Sequence, residues 1–210
     1  AWGAEGALYM ADWEGGYPLD EKGAVWKVDA KAGRDEAARA EVLELLRGEF
    51  KGASVEELAA LRAHADQRVR LGAQLELVKR GSWDALATVA QDAKAVTLAR
   101  VHAVWGLGIG MRRGLCGAEV VMKLAADANE RVREQAVKVL GDAPKAKGVD
   151  GESLIMWLKH ENPSLRVQAA LALGKLRVPS AVPELMAMAK REAEDPALRH
   201  AVVMGLAGCA

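Results

Sequence analysis

Five arginines recur along the chain at steps of 30, 33, 33 and 33 residues. Each is followed three residues later by alanine or valine, and four residues after that by leucine. The arginines are Arg70, Arg100, Arg133, Arg166 and Arg199. A period in the thirties indicates stacked helical units, because one unit is too small to bury its own apolar face. We therefore predict an all-α fold, an α-solenoid of about five repeats with a short N-terminal β-hairpin.

Apolar spacing predicts two helices in each repeat. The first helices are expected over 54–64, 83–92, 117–126, 151–160 and 182–191, and the second over 66–80, 95–109, 129–141, 162–176 and 195–208. Four second helices begin after a residue that can cap them: Asp66, Asn129, Asn162 and Asp195. The second repeat has Val96 there and is three residues short, so its start should be the least regular. Three glycines after the aligned leucines should allow close packing or help to end the helices: Gly108, Gly141 and Gly174.

The N-terminal part differs from the repeats. Five of the nine aromatic residues fall before position 27, and turn residues separate two strand-like segments, 6–13 and 23–29. A lone hairpin is marginal in water, so we expect Trp2, Trp13 or Trp26 to pack on the linker helix or the first repeat. The predicted domains are a β-hairpin at 1–33, a linker helix at 34–53 and the repeat solenoid at 54–210.

Composition excludes some partners. The 29 basic and 29 acidic residues cancel, so no overall basic field attracts nucleic acid or an anionic membrane. The longest apolar stretch, 103–111, is too short to cross a bilayer, and we expect no direct membrane insertion. The chain shows no signal peptide or initiating methionine, and we expect a piece of something longer. Cys116 and Cys209 should be free thiols, since two helix layers separate them. They leave the redox compartment open.

We predict no catalytic, cofactor or metal site. His64 and His160 are in register but three repeats apart, and His102 and His200 are not at ligand spacing. The chain has no Gly-x-Ser-x-Gly motif. The glycines within 106–110 are spaced like a phosphate loop but follow a helix rather than a strand, so packing or breaking that helix is the expected role.

The arginine column permits two interpretations. With the aligned alanine at 0° and about 100° per residue, each arginine lies near +60°, inside or beside the buried arc. This position favours a structural ladder that binds carbonyls and cap residues of neighbouring repeats. The alternative is a row of cations along a nucleic-acid backbone, which the zero net charge disfavours.

The opposite side of the second helices is apolar, although residues about 160° and 200° from the aligned alanine should be polar if that side met water. Glu134 and Lys138 of the third repeat are the polar exceptions; we expect them to divide the strip. Two interpretations stay open: a protein-binding surface anchored by Trp105, or helices packed on both sides in a tight superhelix. The candidate protein-binding residues are Leu71, Leu75, Val101, Trp105, Val167, Leu171 and Met204.

The signature [Asp/Asn]-Pro-x-Leu-Arg-x-x-[Ala/Val] with a following Leu-Gly resembles HEAT repeats of the short, phycobilin-lyase-like type over 54–208. The segments Gly-Ala-Leu-Tyr-Met-Ala-Asp-Trp and Lys-Gly-Ala-Val-Trp-Lys-Val resemble the last propeller strands of large bacterial membrane-bound dehydrogenase-like proteins. In that family a sugar-dehydrogenase-like propeller precedes HEAT repeats and a c-type haem domain. The resemblance implies an extracytoplasmic, periplasmic location. Cys-x-x-Cys-His is absent, so no haem is carried over. The active site proposed for the propeller is also absent, so no catalytic residue is carried over.

The sequence thus favours a non-catalytic scaffold that docks a protein partner or a neighbouring domain of the same parent chain. The alternative is a fragment of a secreted dehydrogenase-like enzyme, whose repeats position an electron-transfer domain. A nucleic-acid-binding solenoid comes third, because the chain carries no net charge.

Overall fold

The computed structural model describes residues 1–13 and 23–209. Within this part, five helix pairs stack in chain order after an antiparallel β-hairpin and one helix, which confirms the predicted fold class. The hairpin pairs β1 (Leu8–Trp13) with β2 (Gly23–Val28), and α1 (Glu36–Arg47) follows it.

Each helix pair has a short first helix and a longer second helix. The first helices are α2 (Val55–Leu61), α4 (Trp83–Gln91), α6 (Glu119–Leu124), a 3₁₀ helix (Glu152–Lys159) and α9 (Val182–Arg191), which a 3₁₀ turn (Pro179–Ala181) precedes. The second helices are α3 (Gln67–Lys79), α5 (Thr97–Arg112), α7 (Glu130–Asp142), α8 (Pro163–Leu176) and α10 (Pro196–Cys209). Two details differ from prediction: the fourth first helix is 3₁₀ rather than α, and α5 continues beyond residue 109.

Polar caps begin four of the second helices, as predicted. The side chains of Asp66, Asn129, Asn162 and Asp195 each accept a hydrogen bond from a backbone N–H two or three residues later. These bonds satisfy donors that the first helical turn leaves free. Val96 provides no side-chain cap at the start of α5, which confirms that this start is irregular.

Glycines let the second helices approach one another. A Cβ atom on Gly141 would lie 2.5 Å from the Cα atom of Ala172, and one on Gly174 would lie 2.7 Å from the carbonyl oxygen of Met204. Both glycines lie in the last turn of their helices, and these short distances confirm that they allow close packing. The glycines within 106–110 lie inside α5, where a phosphate-binding loop cannot form.

Arginines attach the hairpin to the helices. Arg39 of α1 donates from Nε to the carbonyl oxygen of Glu5 at 2.5 Å and from both terminal nitrogens to Asp29 at 3.0 and 3.1 Å. Arg68 of α3 donates to the carbonyl oxygen of Gly3. Of the three tryptophans of which one is expected to pack on the helices, Trp2 and Trp26 are 66% and 53% exposed and do not provide that contact. The third candidate, the Trp13 side chain, lies outside the described residues.

Both cysteines are free: Cys209 is buried and Cys116 is half-buried. Burial and the neighbouring Glu119 charge raise the pKa of the Cys116 thiol, which disfavours the reactive thiolate. None of the helices in the described ranges combines the length and the apolar character that crossing a bilayer requires.

Candidate functional site

The apolar strip on the second helices is only partly accessible. Four of its seven members are exposed, and Val167 and Leu171 are half-buried. Val101 is only 6% exposed because it packs into the hydrophobic core, so its predicted place on an accessible surface is wrong. The exposed members are Leu71, Leu75, Trp105 and Met204.

A charged cluster divides this face. Lys138 binds Asp142 at 2.7 Å, and Lys175 of the next repeat binds the same carboxylate at 2.6 Å. Burial alone would raise the pKa of Asp142, but hydrogen bonds from the two lysines outweigh it and lower the pKa. The cluster separates Leu71, Leu75 and Trp105 on one side from Leu171 and Met204 on the other.

Trp105 stands in a groove between α5 and α7, which we call the Trp105 groove. Its indole Nε1 donates to Gln135 Oε1 at 2.8 Å, and its ring meets the ring of His102 edge-on at 5.0 Å. The residue is nevertheless 37% exposed. The groove has a volume of about 340 Å³, and its lining residues are Gln74, Trp105, Ile109, Arg112, Gln135, Lys138, Val139 and Asp142.

The Trp105 groove is positively charged on balance. Arg112 is exposed and makes no hydrogen bond or ion pair to any residue that the structure describes. Lys138 and Lys175 share the single carboxylate of Asp142. Because α-helical residues seven apart share a face, Trp105 and Arg112 project together from α5.

Four of the five aligned arginines bind the loops that precede their own helices, and Arg100 binds the last turn of α4. Arg70, Arg133, Arg166 and Arg199 each donate from Nη1 to the carbonyl oxygen six residues earlier, at distances of 2.7 to 3.1 Å. Arg100 instead donates from Nε to the carbonyl oxygen of Ala90, ten residues earlier, at 2.9 Å. Its loop takes a different path, since this repeat is three residues short.

The same arginines also contact the next repeat. Arg100 binds both carboxylate oxygens of Asp127, at 3.1 and 2.5 Å, and Arg166 binds Glu192 at 3.2 Å. Arg133 lies over the ring of Trp157, 5.3 Å from its centroid. Arg199 is exposed, and its one hydrogen bond within the described ranges is to its own loop. Four guanidinium groups therefore already face protein atoms, which gives a nucleic-acid backbone little to bind.

A buried polar cluster joins the first two repeats. His102 Nδ1 donates to Gln74 Oε1 at 2.8 Å, and His102 Nε2 accepts from Arg70 Nε at 3.3 Å. This arrangement requires the neutral ring, whose pKa is lowered to about 4 by burial and by the charges of Arg70 and Arg62. Arg62 is fully buried, its Nε and Nη1 atoms have no hydrogen-bond partner among the described residues, and burial lowers its pKa to about 10.

The sequence interpretation missed this cluster, although one signal pointed to it. Gln74 follows the aligned alanine of α3, and the corresponding residues in the other repeats are valine or alanine. One polar residue in an otherwise apolar column indicates a buried hydrogen-bond partner. Arg62 lies outside the repeated pattern, and nothing in the sequence singled it out.

No group of three or more histidine, cysteine, aspartate or glutamate side chains suited to a metal ion occurs among the described residues. His102, the most strongly perturbed histidine, faces arginines and an amide rather than an acid. The second-helix face therefore offers contact chemistry: an aromatic ring, aliphatic side chains and an unpaired cation.

Comparisons with known proteins support the fold. A sequence model of the family described as HEAT repeats matches residues 151–208, which span the last two helix pairs. A search among curated proteins found no match. The crystal structure of an engineered protein, a Northeast Structural Genomics Consortium target, is similar with a TM-score of 0.51 and 16% identity. The similarity covers 82% of this chain and 83% of that one, and at this identity it supports the fold alone.

Proposed function

We propose that this helical-repeat chain is a non-catalytic scaffold that docks a protein partner, or a neighbouring domain of its parent chain, through the Trp105 groove. The observation that carries the proposal is an indole held on two sides and still 37% exposed. A side chain fixed before binding loses little conformational entropy when a partner covers it. Tryptophans of this kind are enriched among the residues that dominate binding energy.

The charge of the groove selects the partner. Arg112 has no carboxylate to neutralise it among the described residues, and the two lysines share one. An acidic residue of the partner would pair with Arg112 while an apolar neighbour covers the indole. Electrostatic complementarity of this kind governs orientation and association rate. The partner segment therefore carries aspartate or glutamate beside an aliphatic or aromatic residue.

The exposed leucines of α3 extend the same surface. Leu71 and Leu75 are 42% and 47% exposed, and α3 packs beside α5. Met204, 49% exposed, lies beyond the charged cluster on the last helix. We therefore place the main contact on α3, α5 and α7, and a secondary contact on α10.

Peptide selection tests this function directly. Peptides displayed on phage are selected on the immobilised chain, and their affinities are then measured by calorimetry. We expect enrichment of acidic residues next to an apolar residue, and at least about tenfold weaker binding to Trp105→Asp. Trp26→Asp is the matched control, because Trp26 is exposed on the distant hairpin. Equal affinity for Trp105→Asp and the native chain would remove the groove from the binding site.

One observation favours the second candidate, a segment of a dehydrogenase-like parent. Met10 and Trp26 pair across the hairpin, and both are exposed. Two strands with an uncovered apolar face are marginal alone, so they suit the end of a larger sheet. The gene tests this candidate: propeller strands upstream and Cys-x-x-Cys-His downstream would support it, together with a periplasmic location. A gene with neither feature would rule it out.

A further inference from the structure

The row of first helices has an open position beside α2. The second helices form a continuous row, and α1 extends it because α1 packs on α3. No described helix takes the corresponding place in the row of first helices, ahead of α2. The later first helices α4, α6 and α9 each pack on the first helix before them, whereas no helix of the described residues packs on the corresponding flank of α2.

A groove marks this open position, and we call it the α1–α2 groove. Its volume is about 690 Å³, and its apolar walls include Leu45 of α1, Ala60 and Leu61 of α2, and Ala53 of the connecting loop. Arg80 fixes that loop by donating to the carbonyl oxygens of Ala53 at 2.7 Å and Phe50 at 3.0 Å. The groove is therefore preformed, with one wall from each row of helices.

Acidic side chains border the groove. Glu57 lines it, and a neighbouring groove of about 430 Å³ that shares Leu45 and Ala53 is bordered by Glu41 and Glu44. Neither set of lining residues includes a lysine or an arginine. The imidazole Nε2 of His64 lies 3.7 Å from Glu41 Oε1. The apolar walls thus lie next to carboxylates that other cations can neutralise.

We propose that the α1–α2 groove binds an amphipathic α-helix of a partner protein, whose apolar stripe is bordered by lysine or arginine. The helix occupies the open place in the row of first helices and packs on one flank of α2 as α4 packs on the other. Amphipathic helices bind apolar grooves through residues three, four and seven apart. The glutamates select a basic border, whereas the Trp105 groove selects an acidic partner, so the two sites are independent.

Designed helices test this proposal. The probe is a fluorescent helical peptide of about 15 residues, or four turns, with a leucine stripe bordered by lysines. Its counterpart has glutamate in place of every lysine. Fluorescence anisotropy should show binding of the lysine peptide at least about tenfold tighter than binding of the glutamate peptide. Equal affinities would overturn the proposal.

Matched substitutions locate the site. Ala60→Arg fills the groove and adds a positive charge to it, while Ala187→Arg makes the same change on the exposed side of α9. Both alanines lie on exposed helix positions, and circular dichroism checks that both variants fold. We expect Ala60→Arg, but not Ala187→Arg, to weaken binding of the lysine peptide at least about tenfold. Unchanged affinity in Ala60→Arg would place the peptide elsewhere and overturn the proposal.

Sedimentation distinguishes a partner helix from a second copy of this chain as the occupant of the α1–α2 groove. We expect the native chain to remain a monomer, because the groove is kept for a partner helix. Concentration-dependent self-association that Ala60→Arg abolishes would assign the groove to another copy of this chain and overturn the proposed partner helix.

Discussion

Neighbouring repeats are held together by different contacts at the two ends of the solenoid. In the last repeats glycines bring backbones together, with Gly141 against Ala172 and Gly174 against Gly205. In the first repeats buried polar side chains lie between the helices, namely His102 with Gln74, and Arg100 with Asp127. The second helices make progressively more extensive contacts from α3 to α10.

These different contacts between repeats go together with different exposure of the apolar side chains on the second helices. Where backbones meet at glycine, Val167 and Leu171 become half-buried. Where side chains space the helices, Leu71, Leu75 and Trp105 stay exposed and grooves remain between neighbours. One repeat pattern thus builds a close-packed C-terminal half and an open N-terminal half, and both proposed binding grooves lie in the open half.

Removing a buried polar contact between two repeats should lower the free energy of unfolding the most. Arg100→Ala leaves Asp127 buried without its cation, and the side chains are only 4% and 15% exposed. Removing one partner of a buried ion pair costs about 3–5 kcal/mol. Urea unfolding should therefore show a loss of this size in the free energy of unfolding.

The matched control for this prediction is Arg199→Ala, at the same repeat position. Arg199 is exposed, and among the described residues it binds only its own loop. Its removal should change the free energy of unfolding by about 0.5 kcal/mol or less. Similar losses for both variants would show that the neighbouring repeat does not determine the strength of the joint.

The neutral histidine makes the first joint sensitive to acid. In the folded chain the pKa of His102 is lowered from 6.5 to about 4 by burial and by Arg70 and Arg62. Between these pH values the unfolded chain binds a proton at His102 that the folded chain does not. The contribution of His102 to the free energy of unfolding is therefore present in full above pH 6.5 and is lost as the pH falls toward 4. The loss should reach about 3 kcal/mol. Unfolding of His102→Gln should show a shallower fall over this range, and an identical fall would contradict the assignment.

Adding one methyl group tests the glycine joints. In Gly141→Ala the new Cβ meets the backbone of Ala172, which cannot move as a flexible side chain can. Overpacking of this kind costs about 1–3 kcal/mol. Gly52→Ala is the control, because a Cβ there meets no atom within 4 Å. Thermal unfolding should separate the two variants, and a Gly141→Ala chain as stable as Gly52→Ala would mean that the backbones are not in contact.

The smallest expected effect is a gain in stability. Arg62 is fully buried with two nitrogens that have no partner in the described part of the chain, and its lowered pKa reflects the cost of burying the charge. Arg62→Met keeps an unbranched apolar chain and removes the charge, so stability should rise by about 1 kcal/mol. A destabilised Arg62→Met chain would show that the guanidinium stabilises the joint.

The sequence predicted the parts of the fold that depend on periodicity. The four polar caps and the irregular start at Val96 follow from the residues that begin each helix. Trp2 and Trp26 do not provide the predicted tryptophan contact of the hairpin, because Arg39 and Arg68 attach the hairpin through polar bonds that no apolar pattern reveals.

The candidate site was predicted less well. A helical wheel placed Val101 and Trp105 on one outer face, yet Val101 is in the core. A wheel assumes that every second helix presents the same angle to its neighbours, and the short second repeat breaks that assumption. The α1–α2 groove depends on where helices stop stacking, which no local sequence pattern determines.

The indole proton of Trp105 tests the central claim most directly. Each of the six tryptophans contributes one indole N–H to a nitrogen–proton correlation spectrum, and the signal missing from Trp105→Phe is that of Trp105. On addition of an acidic peptide selected on the chain, we expect the Trp105 signal to shift while the Trp26 signal stays in place. Binding of the peptide with no change at Trp105 would contradict the claim that the open N-terminal half docks partners through this groove.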